Sequence, residues 1–207
     1  MAALELRFAP FKYASTVAGV ISGYGAYFNN EDSYGDVIAP GAFKASLADW
    51  KLQGRLPPML LQHGGGIFGG AADDMVPVGK WDSMSEDSKG LKVSGHLFGL
   101  ETDRGKYLLE ALREEALDGL SIGFRTRQAI NGTKPGEPAR TLTELDLWEV
   151  SIVTFPANPK ARVTSVKRFS DEERFDIEAQ LCVDGLPFGK AERAVDLLER
   201  FLTKVRS

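Results

Sequence analysis

Three polar side chains with the chemistry of nucleophilic catalysis lie within or at the end of short apolar stretches. Ser121 lies in DGLSIGF at 118–124, Glu149 lies in LWEVSIV at 147–153, and His63 ends the apolar run PPMLLQH at 57–63. A hydroxyl nucleophile needs a base to take its proton, and that base needs a third group to hold its tautomer. Serine, histidine and glutamate are suited to these three roles.

Each of these residues also has a purely structural interpretation. His63 is consistent with a strand-end histidine whose hydrogen bonds are satisfied within the fold. Ser121 is consistent with an ordinary serine on the solvent face of a strand, because it alternates with apolar neighbours. Glu149 is consistent with a salt bridge to a nearby basic residue, since an unpaired buried carboxylate is costly. Beside Ser121, Gly123 is small enough to let a substrate backbone approach.

The segments around these residues predict a mostly β body. β-Branched and aromatic residues dominate 15–28, where glycines indicate bulges or tight curvature. Further strand patterns lie at 57–63, 76–84 and 91–98. The runs at 119–130 and 141–155 predict a long antiparallel hairpin that is closed by a Pro/Gly-rich loop.

Two helices are predicted within this body. Phe43, Leu47 and Trp50 recur at helical spacing after Pro40, and Gly54 is the expected stop. The second helix is predicted at 102–117, with Thr102 as its N-cap and Gly119 in the left-handed conformation after its end.

The composition changes near residue 168, which predicts a division into 1–168 and a helical tail at 169–207. Ser170 and Glu173 have the spacing of a capping box, and two amphipathic helices follow them. This tail either docks on its own domain or binds another chain. Cys182 falls on a helix face and is expected to be a structural cysteine rather than a nucleophile.

The composition excludes several classes of protein. The chain has 207 residues and a formal net charge of −4, which does not favour sequence-independent binding of nucleic acid. One cysteine and two histidines exclude a disulfide framework and a cysteine-rich or histidine-rich metal site. No apolar run has the ~20 residues that span a bilayer, and the N-terminus has no signal-peptide layout. A soluble protein of a reducing cytoplasm is expected.

The glycine-rich segment at 64–76 is predicted to be a mobile surface loop. Its Asp73 and Asp74 are expected to form a solvated turn rather than a calcium site. No metal and no cofactor are expected.

Several segments together resemble the prohead maturation proteases of tailed bacteriophages. The resemblance runs in order over about residues 15–165, with a longer insertion than usual after His63. It rests on GYGAYFNN…YGDVIAPGAFKASL, PPMLLQH, VGKWDSM, GLKVSGHLF, GKYLLEALREEALDGLSIGF and LDLWEVSIVTFPANPKA. It implies an α+β fold similar to the herpesvirus assemblins: a compact, mostly antiparallel β-barrel with surrounding helices. It also implies a serine endopeptidase that digests the scaffold and trims the capsid protein inside the immature shell.

The resemblance assigns roles to the three polar residues. The histidine of the family's QH motif is His63, the expected base. The serine of its LSIGF motif is Ser121, the expected nucleophile. The acid of its L-x-E-V-S motif is Glu149, the expected group that orients the histidine.

Alternatives remain for the third group and for the oxyanion donors. Asp146 could replace Glu149 only across a bulge, because three residues of strand reverse the face. His96 is considered because the assemblins use a second histidine, although a solvent-facing histidine is the simpler interpretation. Backbone N–H groups near Gly123 or the side chains of Arg125 and Arg127 are the candidate oxyanion donors. Arg125 is preferred, because it has the strand parity of the serine.

The resemblance further implies the major capsid protein and a scaffold protein or segment as partners, with no nucleic acid and no membrane. Homodimerisation is expected only by analogy with the assemblins. The expected location is the prohead inside the bacterial host cytoplasm, with a phage or prophage as the source. The tail could serve packaging and be shed by self-cleavage within 163–170. The competing interpretation is a catalytically inactive relative that acts as a scaffold or structural assembly protein.

Overall fold

Eight strands and five helices make up the part of the chain that the computed structural model describes, residues 19–65, 75–166, 169 and 171–204. Their bounds are β1 Val20–Tyr27, β2 Asp36–Ile38, α1 Lys44–Leu52, β3 Met59–Leu61, α2 Gln62–Gly65, β4 Gly79–Glu86, β5 Gly90–Leu97, α3 Asp103–Arg113, β6 Gly119–Asn131, β7 Arg140–Val153, β8 Val163–Val166, α4 Asp171–Val183 and α5 Phe188–Lys204.

The long strand β7 organises the sheet. Strand β6 pairs with it antiparallel over almost its full length, as the predicted hairpin requires. The short strands β2 and β3 pair with it in parallel at its beginning and near its end, respectively. Strands β4, β5, β1 and β8 continue the sheet from β3 through antiparallel pairs. The prediction of a mostly antiparallel α+β fold is confirmed.

The strands do not close into a barrel, so this part of the prediction is wrong. The order β2–β7–β3–β4–β5–β1–β8 is open, and β6 branches from β7. In the described residues, β6 meets the segment before β8 only at an isolated bridge between Gly119 and Arg162. A barrel needs a continuous ladder around its circumference. Here β8 has only four residues, and it pairs with β1 instead.

The apolar core lies against β7 and holds it in place. Trp81 and the β7 residues Leu145, Leu147, Val150 and Ile152 are almost completely buried. The Trp81 indole N–H donates to the Val150 carbonyl at 3.2 Å. Because buried polar groups need partners, this bond favours one position of the ring against the strand. The part of β7 that carries Glu149 is therefore held against the core.

The helices within the body agree with the sequence pattern except at one end. Helix α1 lies within the predicted 40–54 region, and the Thr102 side chain accepts the Gly105 N–H at 3.1 Å to cap α3. The left-handed residue after α3 is Glu115, with φ of 57°, and not Gly119. Gly119 is the first residue of β6, and an added Cβ there would lie 2.4 Å from the Val153 carbonyl oxygen. Close strand packing, rather than helix capping, explains this glycine.

The predicted two-helix tail is observed as α4 and α5, which pack against each other. The Arg174 guanidinium lies 2.7 Å from carboxylate oxygens of Asp196 and of Glu199. The side chain of Cys182 is half-buried and free. Ser170 of the capping box lies outside the described residues, as do 66–74 of the glycine-rich segment, including Asp73 and Asp74. The division at residue 168 stays a prediction.

Two further features concern the described residues only. None of their helices combines the length and apolar character needed to cross a bilayer. None of their His, Cys, Asp and Glu side chains form a group of three or more that could hold a metal ion.

Candidate active site

His63 lies in α2, which directly follows β3 and is a single turn with a left-handed backbone. Gln62, His63 and Gly64 have φ values of 52°, 56° and 69°. Such a conformation costs ~1–3 kcal/mol at each non-glycine residue, and it persists only when surrounding contacts hold it. Here the Gln62 side-chain amide donates to Thr154 Oγ1 at 2.7 Å, and the His63 backbone N–H donates to Ser151 Oγ at 3.2 Å. Both bonds anchor the turn to the end of β7.

The His63 ring forms a close pair with Glu149. Its Nδ1 lies 2.6 Å from Glu149 Oε1. Because an ionised carboxylate can only accept hydrogen bonds, it selects the ring tautomer that carries its proton on Nδ1. Nε2 then keeps its lone pair. The side chain of Glu149 is 11% exposed and that of His63 is 37% exposed, so the ring remains accessible while the carboxylate is largely enclosed. This arrangement suits a histidine that takes up a proton at Nε2.

Ser151 completes the surroundings of Glu149. Its hydroxyl group donates to Glu149 Oε2 and accepts the N–H of His63. Its residue is completely buried. Sequence reasoning did not identify Ser151, although the E-V-S spacing contains the signal, because residues two apart in a strand share a face.

The register of β6 against β7 places Ser121 on the same face as this cluster. Ser121 lies directly opposite Ser151, and Gly123 lies opposite Glu149. Side chains at directly opposite positions of an antiparallel pair have their Cβ atoms ~4.5–5.5 Å apart. The three predicted residues are therefore gathered in one region of the fold, together with Ser151.

Gly123 leaves space for Glu149, and not for a substrate backbone as the sequence suggested. A Cβ added at Gly123 would lie 2.4 Å from Glu149 Oε1 and 2.9 Å from its Cγ. The carboxylate therefore occupies the volume that any other residue at position 123 would fill. Whether the Gly123 N–H serves as an oxyanion donor stays a prediction.

Ser121 and His63 line the same cleft, which has a volume of about 660 Å³. The hydrogen bonds of the described residues include none between the Ser121 hydroxyl and the His63 ring. Catalytic hydrogen bonds often tighten only when substrate binds, so a looser arrangement is expected before that. Much of the remaining wall of the cleft is apolar, with Ile38, Ile122, Phe124 and Phe155 among its residues. The cleft can therefore accept the side chains of a peptide beside the polar cluster.

The alternative third residues have other partners. His96 Nδ1 lies 2.8 Å from Asp82 Oδ2, on the β4–β5 pair. Asp146 accepts a hydrogen bond of 2.8 Å from Arg127. Among the described contacts, only Glu149 of the three proposed groups reaches the His63 ring.

The two arginines also have contacts of their own. Arg125 lies over the Trp148 ring, with its guanidinium carbon 5.1 Å from the ring centroid. Arg127 is near three carboxylates, those of Asp49, Glu144 and Asp146. Neither arginine is among the residues that line the cleft. Their assignment as oxyanion donors stays a prediction.

A serine and a histidine lining one cleft of an α+β fold, with a carboxylate bonded to that histidine, are the groups that the class of serine hydrolases uses. The histidine–carboxylate contact and the shared cleft support this class, and neither depends on a sequence motif.

Comparison with known proteins identifies the family. The family model described as caudovirus prohead serine protease matches residues 10–174. The prohead protease of Enterobacteria phage HK97 is 36% identical over 191 residues, which cover 91% of this chain and 78% of that protein. The capsid polyprotein of Pseudomonas phage PAJU2 is 31% identical over 128 residues, which cover 59% of this chain and 18% of that protein. The chain belongs to the caudovirus prohead serine protease family, and it is a serine protease.

Proposed function

We propose that this protease matures a phage capsid by cleaving the major capsid protein, a scaffold protein or scaffold segment, or both, and by cleaving itself, with Ser121, His63 and Glu149 as its catalytic residues. The observation that carries the proposal is the 2.6 Å contact between His63 Nδ1 and Glu149 Oε1 beside a cleft that Ser121 also lines. An inactive assembly protein would not require this pair.

The mechanism is acyl transfer through a covalent intermediate. Ser121 Oγ attacks the carbonyl carbon of the scissile peptide, and its proton passes to His63 Nε2 as the C–O bond forms. Glu149 stabilises the resulting imidazolium through Nδ1. The C–N bond then breaks, and His63 returns the proton to the leaving amine. Water repeats the sequence on the ester and releases Ser121.

The oxyanion of the tetrahedral intermediate needs hydrogen-bond donors near Ser121. Backbone N–H groups at 121–123 are the donors that this proposal favours. Arg125 is a weaker candidate, because its guanidinium lies over the exposed ring of Trp148.

Capsid proteins are the proposed partners. Two relatives carry names that refer to the prohead and to the capsid, and both align with a large part of this chain. The proposed location is the interior of the prohead in an infected or lysogenic bacterium. The helical tail, α4 and α5, is proposed to contact scaffold or capsid subunits and to be lost by self-cleavage within 163–170. Dimerisation, as in the assemblins, is part of the same proposal.

The proposal is tested by the intact masses of the wild-type chain and of Ser121→Ala, each expressed with its capsid and scaffold partners. We expect shortened products with the wild type and full-length partners with the variant. The masses of the products would identify the cleavage sites.

A matched control is Ser46→Ala, because Ser46 is another buried serine that contacts β7, where its hydroxyl accepts the Leu147 N–H at 2.9 Å. This variant should cleave like the wild type. If the wild type and Ser121→Ala both left every partner full-length within assembled shells, the proposal would be wrong, and a structural role would replace it.

A further inference from the structure

We propose that Ser151 is a positioning residue that sets the geometry of both His63 and Glu149. This inference rests on the proposed function, since it concerns how the proposed base and its acid are held. Ser151 touches neither substrate nor the reacting atoms in this scheme. It acts through His63, which transfers the proton in this scheme, and through Glu149, which orients the imidazole ring.

The hydrogen bonds of Ser151 account for this role. Its single hydroxyl proton is donated to Glu149 Oε2, which leaves Oε1 for the His63 ring. The same oxygen accepts the backbone N–H of His63 at 3.2 Å. One hydroxyl group therefore fixes the rotation of the carboxylate and the position of the turn that carries the imidazole.

Burial makes these two bonds consequential. Ser151 is completely buried and the Glu149 side chain is only 11% exposed, so solvent has limited access to replace a missing partner. A hydrogen bond to a charged group contributes more than one between neutral groups, and an unsatisfied buried partner carries an added cost. The left-handed turn at 62–65 depends on the same contact, because Gln62 and His63 have unfavourable positive φ values.

The strand pairing explains why position 151 has this function. Glu149 and Ser151 are two residues apart on β7 and share a face. Ser151 also lies opposite Ser121 on β6, and on its other side it pairs with Leu60, the middle residue of β3. It therefore stands where the strands of the nucleophile, the base and the acid meet.

The first test compares Ser151→Ala with Ser46→Ala in the rate at which the capsid protein disappears during co-expression. Ser46 is matched in burial, and its hydroxyl also accepts a backbone N–H, but that N–H belongs to Leu147 of β7 rather than to His63. We expect cleavage about 10- to 100-fold slower with Ser151→Ala, the fold-change for losing one hydrogen bond to a charged group. The cleavage rate of Ser46→Ala should stay within about threefold of the wild-type rate, because loss of the Ser46 hydroxyl leaves the hydrogen bonds among His63, Glu149 and Ser151 intact.

A second variant covers the case in which Ser151→Ala does not fold. Ser151→Cys is nearly the same size but has only a weak donor, so it keeps the packing and weakens the bond to Glu149. It should show the same direction of change as Ser151→Ala. Wild-type rates for both variants would overturn the inference.

A spectroscopic measurement separates this inference from the proposed function. In a Ser121→Ala background, which keeps the chain intact, the His63 Nδ1 proton should give a downfield ¹H NMR resonance. The resonance should persist with Ser46→Ala and should shift upfield or be lost with Ser151→Ala. An unchanged resonance would contradict the positioning role, whatever the cleavage assays show. If Ser121→Ala did not abolish cleavage while this resonance still depended on Ser151, the proposed nucleophile would be wrong and the positioning role would stand.

Discussion

The substitution Gly123→Ala tests whether Glu149 must occupy the space beside β6. An added Cβ would lie 2.4 Å from Oε1, 2.9 Å from Cγ and 3.0 Å from Cδ of Glu149. Carbon and oxygen atoms do not approach this closely, so the carboxyl group or the strand must move. Because the carboxylate is held by His63 and Ser151, any displacement disturbs both hydrogen bonds.

The size of the effect follows from these contacts. Overpacking of a well-filled site costs about 1–3 kcal/mol of stability. Loss of a hydrogen bond to a charged group costs about 1.5–3 kcal/mol, which corresponds to about a 10- to 100-fold slower reaction. We therefore expect Gly123→Ala to slow cleavage of the capsid protein by at least about tenfold while the chain still folds.

The assay is the time course of capsid-protein cleavage during co-expression, followed by intact mass. Thermal unfolding of each variant is measured in the Ser121→Ala background, so that self-cleavage does not alter the sample. Gly189→Ala in α5 is the control, because its Cβ would meet no atom within 4 Å. It should leave the rate unchanged and raise stability slightly, since glycine is a poor helix former.

A double substitution shows whether the effect acts through the acid. In a Glu149→Gln background the charged contact is already lost, so Gly123→Ala should slow cleavage little further. Full activity of Gly123→Ala would refute the steric explanation. The explanation would also be refuted if Gly123→Ala slowed cleavage by the same factor with glutamate and with glutamine at position 149.

Two further predictions follow from the contacts around the site and from a turn far from it. Asp146→Asn and His96→Gln should both keep cleavage within about threefold of the wild type in the same assay, because Asp146 is bonded to Arg127 and His96 to Asp82, while the His63 ring is bonded to Glu149. Loss of cleavage in either variant would contradict Glu149 as the acid. Asp87 accepts the Tyr24 hydroxyl at 2.7 Å, and this bond, together with backbone N–H groups, lowers the pKa of Asp87 below its ordinary value of 3.8. A carboxyl group whose pKa is lower in the folded than in the unfolded chain stabilises the fold above its unfolded pKa, and this stabilisation is lost as the pH falls through its folded pKa. Asp87→Asn should therefore reduce the loss of thermal stability on going from pH 5 to pH 3. An equal loss in the wild type and the variant would contradict this.

Much of the fold could be predicted from local patterns. The β6–β7 hairpin, the helix capped by Thr102 and the two tail helices each depend on neighbouring residues, which sequence periodicity reports directly. Barrel closure could not be predicted in this way. Closure depends on whether β6 pairs with a second strand besides β7, and the four residues of β8 pair with β1 instead. The assignment of Gly119 to a helix cap failed for a similar reason, since the glycine is required by close packing against Val153.

The sequence by itself determined the types of residue at the site and, through its motifs, their family. It also contained the spacing that puts Glu149 and Ser151 on one face of a strand. Only the tertiary structure decided that the carboxylate of Glu149, 86 positions away, is the partner of the His63 ring. That contact depends on the parallel register of β3 with β7 and on a left-handed turn stabilised by Ser151 and Thr154. Register and turn conformation arise from contacts between distant segments, and these leave little trace in local composition.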